Sequence, residues 1–556
     1  MDIFDELLEG LENSKLISYE NGGADALEPV YYDELENSDR EGVIKACFHE
    51  NGRLKQVYSR HENHVGVISS TRLGKTTSYV IPTVLSFAKQ KTKRSMIISD
   101  PKGEIYRHTA QTLRDNGYCV KLLNFRDFLH SECYNILTPV FYKYRDYLHI
   151  EKEAVYTERD GSPGALFRGV IFHDEAAFET AVKDAKFLAL ADIGNDIDNI
   201  AAMFIDVKKQ TDPYWEEAAR DVLKAFIWAM LEDSEPDKAK VPITVDTFSF
   251  STIMRIISMF NDDDRSSNYD DKGYFTNRSN DSEAYRLAKN TLIENAKSTR
   301  KCVLSELFSK MSAFNESTVR LLTSCTSFEL GDFIDCPTVL FIDYRDELKV
   351  HFGLISIFVQ DAYRYLIEQA NSKPDGKLEI PFYFILDEFG NFAKMRDFET
   401  TISACAGRNI FFMLVMQSYA QLNSVYGDDI ATIIRDNLNV HVFFGSNNPS
   451  TIDEFSRECG LKSRISPLSA LNGRGTEIDG YQIETVPLVP KSKLTQLEPG
   501  ECIVTEANCG YVMFSKLERF FECDEFKDLP LSKESEYECE VKPFDPRYIY
   551  RPPEKW

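Results

Sequence analysis

No two of the twelve cysteines form a C-x-x-C pair. That removes the usual zinc-ribbon spacing. Without a secretory leader it points to reduced thiols and not to a disulfide framework. No run comes near the roughly 18 consecutive apolar residues that a membrane-spanning helix needs. The first residues (MDIFDELLEG) are acidic and lack the basic start and apolar core of a signal peptide. Positive charge is also scarce: 64 Lys and Arg stand against 89 Asp and Glu, a net charge of −25. That balance opposes non-specific binding to DNA or anionic membrane over the surface as a whole, while leaving room for a local basic channel. The expectation is an intracellular chain. Its 43% hydrophobic and 28% charged residues are ordinary for a globular protein, and its 556 residues suffice for about two or three domains.

What the chain does contain centres on HVGVISSTRLGKTT, His64 to Thr77. Val65, Gly66, Val67 and Ile68 suit a short buried strand. The polar run that follows leads into the apolar stretch Thr77 to Phe87, a helix in which Pro82 is expected to make a kink. Strand, glycine-bearing loop and helix in that order make a phosphate-binding loop. Loop amides and the helix N-terminus face one anion, here Ser70, Thr71, Arg72, Leu73, Gly74, Lys75, Thr76 and Thr77. Lys75 reaches the β- and γ-phosphates of ATP, and the Thr76 hydroxyl is placed for Mg²⁺. Ser69 stands where the pattern G-x-x-x-x-G-K-[ST] has its first glycine, so the first bend of the loop is expected to differ.

Further along, Ser95 to Ser99 reads as a buried strand, Glu104 to Asn116 as an amphipathic helix and Cys119 to Asn124 as a second strand. This β-α-β unit implies a parallel sheet with a right-handed crossover, hence an α/β fold. The turn Asp100-Pro101-Lys102-Gly103-Glu104 falls at the C-terminal end of its strand, where open parallel sheets place ligands. Pro337 to Asp343, Ile410 to Met416 and Val440 to Gly445 read as further strands. In FYFILDEFG, Phe382 to Gly390, five apolar residues precede two carboxylates. A buried strand would thereby deliver Asp387 to a Mg²⁺ ion and Glu388 to the attacking water. Gln417 ends the strand after it, where an amide could bond a γ-phosphate. Arg408, in Ala406-Gly407-Arg408-Asn409, could serve a neighbouring subunit as an arginine finger or simply end a helix.

Residues 1–60 read as an acidic N-terminal appendage with one or two strands, and 61–189 as the first part of the nucleotide-binding domain, with 140–189 inserted. Residues 190–330 read as an all-alpha domain, 331–525 as the second part of the nucleotide-binding domain, and 526–556 as an extended tail. Trp215, Ala219, Val222, Leu223, Phe226 and Met230 share one helical face. Asn261 to Asp281 reads as a mobile loop, Ser463 to Tyr481 as a polar loop, and Asp160 to Gly164 as a turn. The basic groups Lys89 to Arg94, Lys301 and Lys310 fit solvated faces as well as DNA contacts.

In order, STRLGKTT, ISDPKGEIY, DPYWEEAARDVLKAF, LDEFGNF, AGRN, MQSYAQLNSVYG and PLVPKSKLTQLEPGE resemble the type IV secretion coupling proteins, the TraG/TraD-type conjugation ATPases. The resemblance covers most of the chain after residue 60. It implies a RecA-like P-loop NTPase domain with an inserted all-alpha domain, a homo-hexameric ring around a channel, and ATP with Mg²⁺ as cofactors. It implies that single-stranded DNA with its relaxase is driven into a type IV secretion channel at the inner face of the membrane. Carried over, Lys75 and Thr76 bind phosphate and Mg²⁺, Asp387 holds Mg²⁺, Glu388 polarises water, Gln417 senses the γ-phosphate and Arg408 is the trans-acting finger. Such proteins usually begin with transmembrane helices, which are not seen here, so three readings stay open: a shortened chain, a separate anchor protein as partner, or a lineage that works without an anchor; the free protein could be a monomer that assembles only on DNA or at the channel. Two other readings fit the same residues: a nucleotide-gated docking adaptor for secreted proteins, with little hydrolysis, and an FtsK-type pump for double-stranded DNA.

Overall fold

The computed structural model describes residues 41–545, apart from 51–52, 60, 151–154, 160–161, 206, 208–212, 236–240, 261–272, 472–476, 508–511 and 524–525. The acidic stretch 1–40, most of the expected loop 261–281, the start of the turn at 160 and the last residues of the tail lie outside the described residues. The chain divides into two units. The first comprises 1–122, 330–356 and 362–536, and the second 123–329, 357–361 and 537–556.

The first unit is built on short runs of apolar residues that can be buried on both faces only as parallel strands under helices. These are β3 (Val65–Ser69), β4 (Ser95–Asp100), β5 (Cys119–Asn124), β9 (Thr338–Asp343), β10 (Phe382–Leu386), β11 (Ile410–Met416) and β12 (Val440–Gly445). With β15 (Glu501–Glu506) and β16 (Val512–Lys516) they form one sheet in the order β16-β15-β12-β3-β11-β10-β4-β9-β5. Strands β12, β3, β11, β10, β4 and β9 run parallel, and β15 and β16 are antiparallel additions. Every residue of β3, β4, β9, β10, β11 and β12 is buried. Phe384 stacks on Phe412 across neighbouring strands, with centroids 4.8 Å apart.

Several expectations are corrected here. The two strands expected within 1–60 are present as the hairpin β1 (Ile44–Glu50) and β2 (Arg53–Tyr58), but they are not a separate appendage, because the buried ion pair Lys45 Nζ to Glu506 Oε2 at 2.5 Å anchors them to the first unit. The polar stretch after Gly460 is not a loop. It forms a ribbon of β13 (Leu461–Leu471) and β14 (Glu477–Pro487), whose backbones pair over their whole length. Pro82 does not kink a regular helix. The loop runs into a π turn, Lys75–Val80, and then the α-helix Ile81–Lys89. In π register an amide at 82 would bond the Thr77 carbonyl. Proline has no such amide, and the Phe520 N–H bonds that carbonyl instead at 2.9 Å. Arg94 is not a surface cation: it is 1% exposed, bonds Glu62 through Nε at 2.8 Å, and lies 4.6 Å over the Phe87 ring.

The second unit begins at 123, earlier than 190, and it is not purely helical: β6 (Val155–Arg159), β7 (Ser162–Phe167) and β8 (Val170–Phe172) form an antiparallel sheet. Its helices include Thr138–His149, Glu175–Phe204, Tyr214–Glu232 and Lys297–Lys310. Ala219, Val222, Leu223, Phe226 and Met230 are buried on the expected face, whereas Trp215 is 38% exposed at the first turn, beyond the packed part of that face. The described end of the expected tail, 537–545, is held in place by side-chain contacts. Tyr537 and Cys539 are buried against Glu132, and Asp545 receives Arg320 Nε at 2.9 Å.

Candidate functional site

The order β3-β11-β10 puts three chain segments, far apart in sequence, side by side at the C-terminal edge of the sheet. From β3 comes the loop Ser70 to Gly74 and then Lys75, Thr76 and Thr77. From β11 comes Gln417, and from β10 come Asp387 and Glu388. Ser69 is the last residue of β3 and has no left-handed backbone. The positive φ falls instead at Arg72 (71°) and Gly74 (102°). A Cβ at Gly74 would lie 2.8 Å from Ser78 Oγ, so the close turn into the helix needs glycine for space as well as for φ. Ser70 ties the loop to β12: its N–H bonds the Gly445 carbonyl at 2.8 Å, and its Oγ accepts from Asn447 N at 3.1 Å. Thr71 and Arg72 are exposed, while Leu73 to Thr77 are half-buried. The Leu73 carbonyl accepts from Gly500 N at 3.3 Å.

The side chains converge. Lys75 Nζ is 3.2 Å from Asp387 Oδ1 and makes a shorter contact with Glu388 Oε1. Thr76 Oγ1 donates to Asp387 Oδ2 at 3.1 Å. Gln417 Nε2 donates to Glu388 Oε2 at 3.1 Å, and Gln417 N is held by Gln421 Oε1 at 3.1 Å. Burial works to lower the Lys75 pKa, but the attraction of Asp387 and Glu388 outweighs it and leaves that pKa raised. Lys75 therefore stays a cation throughout the neutral range. Glu388 sits at φ 57°, a left-handed conformation that a non-glycine residue holds only where its surroundings enforce it. Its N–H bonds Asp387 Oδ1 at 2.9 Å. The Asp387 carbonyl receives two hydroxyls, Ser99 Oγ at 3.0 Å and Tyr344 OH at 3.4 Å.

Asp100 and Asp343 end β4 and β9 as register partners, and β4 is the neighbour of β10, the strand that leads into Asp387. Burial pushes the Asp100 carboxyl up to about 8, and the charges of Asp343 and Asp387 add to that effect. Its Oδ2 accepts from Tyr106 N at 2.8 Å, which fixes the turn into the helix Glu104–Asp115. The Asp-Pro-Lys-Gly-Glu turn thus serves as a brace beside the site. Ser99 and Gln421, which hold the backbone of the site residues, lie inside the stretches ISDPKGEIY and MQSYAQLNSVYG but were given no role from the sequence, and Tyr344 was not singled out at all. Arg408 does not join the cluster. It lies in the helical turn Ala406–Arg408 before β11, at the end of the strand opposite Gln417, a strand about 20 Å long at the ~3.3 Å rise per residue, with its Nε on Asn371 Oδ1 at 3.0 Å and its Nη1 on the Ala404 carbonyl at 2.9 Å.

The hydroxyl of Thr76 and the carboxylate of Asp387 are adjacent hard oxygen donors, beside a lysine that also faces the loop. That donor set fits Mg²⁺, which takes few protein oxygens and keeps waters and phosphate oxygens for the rest.

Comparison with known proteins agrees with this geometry. The family description "Type IV secretory system Conjugative DNA transfer" matches residues 31–528. The chain is 23% identical to protein VirD4 of Agrobacterium fabrum over 401 residues, which is 71% of this chain and 49% of that protein. It is 23% identical to the conjugal transfer protein TraG of Escherichia coli over 461 residues, covering 80% of this chain and 62% of that one. The chain therefore spans about half to three fifths of the length of these relatives. Among solved structures, the unbound bacterial conjugative coupling protein TrwBdeltaN70 superimposes with a TM-score of 0.57 at 15% identity, covering 90% of this chain and 95% of that one. TrwB in complex with ADP and Mg²⁺ gives 0.55 at 14% identity, covering 89% and 94%. The fold is that of a RecA-like P-loop NTPase, with a mostly parallel central sheet. On the strength of a match that runs through both units, the chain belongs to the type IV secretory system conjugative DNA transfer family.

Proposed function

We propose that this chain is the ATP-hydrolysing motor of a conjugative coupling protein, which recruits single-stranded DNA with its relaxase and drives it into a type IV secretion channel. The observation that carries the proposal is the meeting of Lys75, Thr76, Asp387, Glu388 and Gln417 at one sheet edge, through contacts of 3.2 Å or less. That TrwB has been captured with ADP and Mg²⁺ supports ATP and Mg²⁺ as the ligands here.

In this reading the loop amides of residues 70–76 and the Lys75 ammonium bind the β- and γ-phosphates and neutralise the charge that develops on transfer. Thr76 and Asp387 would hold Mg²⁺, which would supply positive charge to offset the charge that develops on the transferred phosphate. Glu388 accepts the proton of the attacking water. The Gln417 amide, bonded to Glu388, reports the γ-phosphate to β11. Arg408, on the far rim of its own sheet, is assigned to the site of a neighbouring subunit in a homo-hexamer. Among the described residues no helix is long and apolar enough to cross a membrane. Attachment to the secretion channel through a separate anchor protein is part of the proposal.

The test is steady-state phosphate release against single-stranded DNA concentration, with Lys75→Ala as the blank and sedimentation alongside. DNA-stimulated turnover that disappears in the blank, with larger assemblies on DNA, is the expected result. Tight ATP binding with no turnover under any condition would instead favour the docking adaptor.

A further inference from the structure

Three thiols from separate parts of the chain gather near one buried carboxylate in the second unit. Glu132 is 7% exposed and accepts from the Ser327 hydroxyl, the Tyr537 hydroxyl and Cys539 Sγ, the last at 3.2 Å. Beside it in the chain stands Cys133, which is fully buried. The Cys133 carbonyl accepts from Ser327 N at 3.0 Å, and its N–H bonds Ser327 Oγ at 2.8 Å. Tyr134 N bonds the Leu322 carbonyl at 2.9 Å, so backbone contacts on both sides of Cys325 hold that residue against Cys133. The two sulfurs meet. The Cys133 thiol donates to Cys325, and Ser324 Oγ donates to the same sulfur at 3.7 Å. Two donors on one sulfur favour its thiolate: the bond from Cys133, more than that from Ser324, lowers the Cys325 pKa against the opposing effect of burial. The same bond, with burial, pushes the Cys133 thiol up. Cys325 is also half-buried and within reach of solvent, while Cys133 is enclosed.

We propose that Cys325 and Cys133 form a reversible dithiol–disulfide couple that reacts with low-molecular-weight disulfides, with Cys325 as the attacking sulfur and Cys133 as the resolving one. An accessible thiolate poised next to a second thiol is the arrangement that oxidises selectively and reversibly. The Cys325 thiolate attacks one sulfur of the reagent, forming a mixed disulfide and releasing the other half as a thiolate. Cys133 then loses its proton to water, attacks the Cys325 sulfur and releases the second half as a thiolate. Two protein thiols thereby give up two protons and two electrons, and the reagent leaves as two thiols once its thiolates take up the protons. Cys539 stays out of the exchange, because its thiol is buried and committed to Glu132. The new bond would join residues 132–133 to 324–327. Between them these hold the described end of the chain, through Tyr537 and Cys539 on Glu132 and through Phe544 N on Ser324 Oγ at 3.4 Å.

The test adds oxidised glutathione to the full chain, follows the loss of free thiols by alkylation, and locates the bonds by non-reducing peptide mass mapping. The expected result is the loss of two thiols and a single Cys133–Cys325 link, reversed by dithiothreitol. Cys325 should react about tenfold faster than the exposed Cys302 takes up glutathione. In Cys133→Ser the reaction should stop at a mixed disulfide on Cys325, and in Cys325→Ser residue Cys133 should stay reduced. A Cys133–Cys539 link, glutathione only on the exposed Cys119, Cys302 and Cys336, or no loss of thiols would each overturn the proposal. The wild-type linkage map decides the matter even where a serine variant fails to fold.

Discussion

The exchange Glu388→Gln separates binding from chemistry at this site. Glu388 holds two positions at once, on the Lys75 ammonium and on the Gln417 amide. A triphosphate arriving at the loop must compete for that ammonium. A close ion pair is worth about 4 kcal/mol at an effective dielectric near 20. The side chains of Lys75 and Glu388 are 12% and 14% exposed, and Asp387 keeps its own 3.2 Å contact with the lysine. The releasable part is therefore nearer 1–2 kcal/mol, and about 1.4 kcal/mol corresponds to a tenfold change in affinity. Loss of the proton acceptor should meanwhile lower turnover by about 10²–10⁴. Glu388→Gln should thus bind ATP about tenfold more tightly than wild type and hydrolyse it at least a hundredfold more slowly. Equilibrium competition with a fluorescent nucleotide and phosphate release at saturating ATP measure the two quantities on the same preparation. Turnover within threefold of wild type would remove Glu388 from the role of water-polarising base. Weakened binding would show that its contact with Lys75 orders the site and does not compete for it.

Lys75→Ala should abolish measurable phosphate release and the response to DNA, while far-ultraviolet circular dichroism stays unchanged; retained turnover would disqualify the lysine. Gly74→Ala places a Cβ 2.8 Å from Ser78 Oγ at φ 102°, a strain of about 1–2 kcal/mol; roughly tenfold weaker nucleotide binding with little change in melting temperature is expected, and unaltered binding counts against the tight turn. His64 is held neutral by burial, its pKa lowered to about 4 from 6.5, with Nδ1 accepting from Phe412 N at 2.9 Å. The unfolded chain binds this proton more readily, so stability is complete above pH 6.5 and falls towards pH 4, by about 3 kcal/mol at 1.36 kcal/mol per pH unit. Urea midpoints of wild type and His64→Asn between pH 7 and pH 5 should converge on acidification, and parallel curves would refute the assignment.

The sheet was legible wherever burial on both faces left an unbroken apolar run. The residues Ile410–Met416 and Val440–Gly445 are strands with the boundaries their composition suggests. Lys75, Thr76, Asp387, Glu388 and Gln417 were legible because each lies at a fixed step from such a run. The ribbon β13–β14 was not, because Ser463, Pro467 and Gly480 break its alternation, and the pairing of its two strands is not encoded in a local pattern. Trp215 shares the helical period of the buried face yet stays exposed, because period alone does not say where packing against a neighbour stops.

The missing amide of Pro82 makes a probe of Phe520. That residue's N–H is bonded to the Thr77 carbonyl, one residue past the Thr76 hydroxyl, so its solvent exchange is tied to the opening of the loop's first helical turn. Followed by hydrogen–deuterium exchange, a single backbone proton near the C-terminal end of the sheet domain becomes a clock for events at its phosphate-binding loop. Slower exchange in the presence of ligand would register tightening of the turn without any label, mutation or turnover.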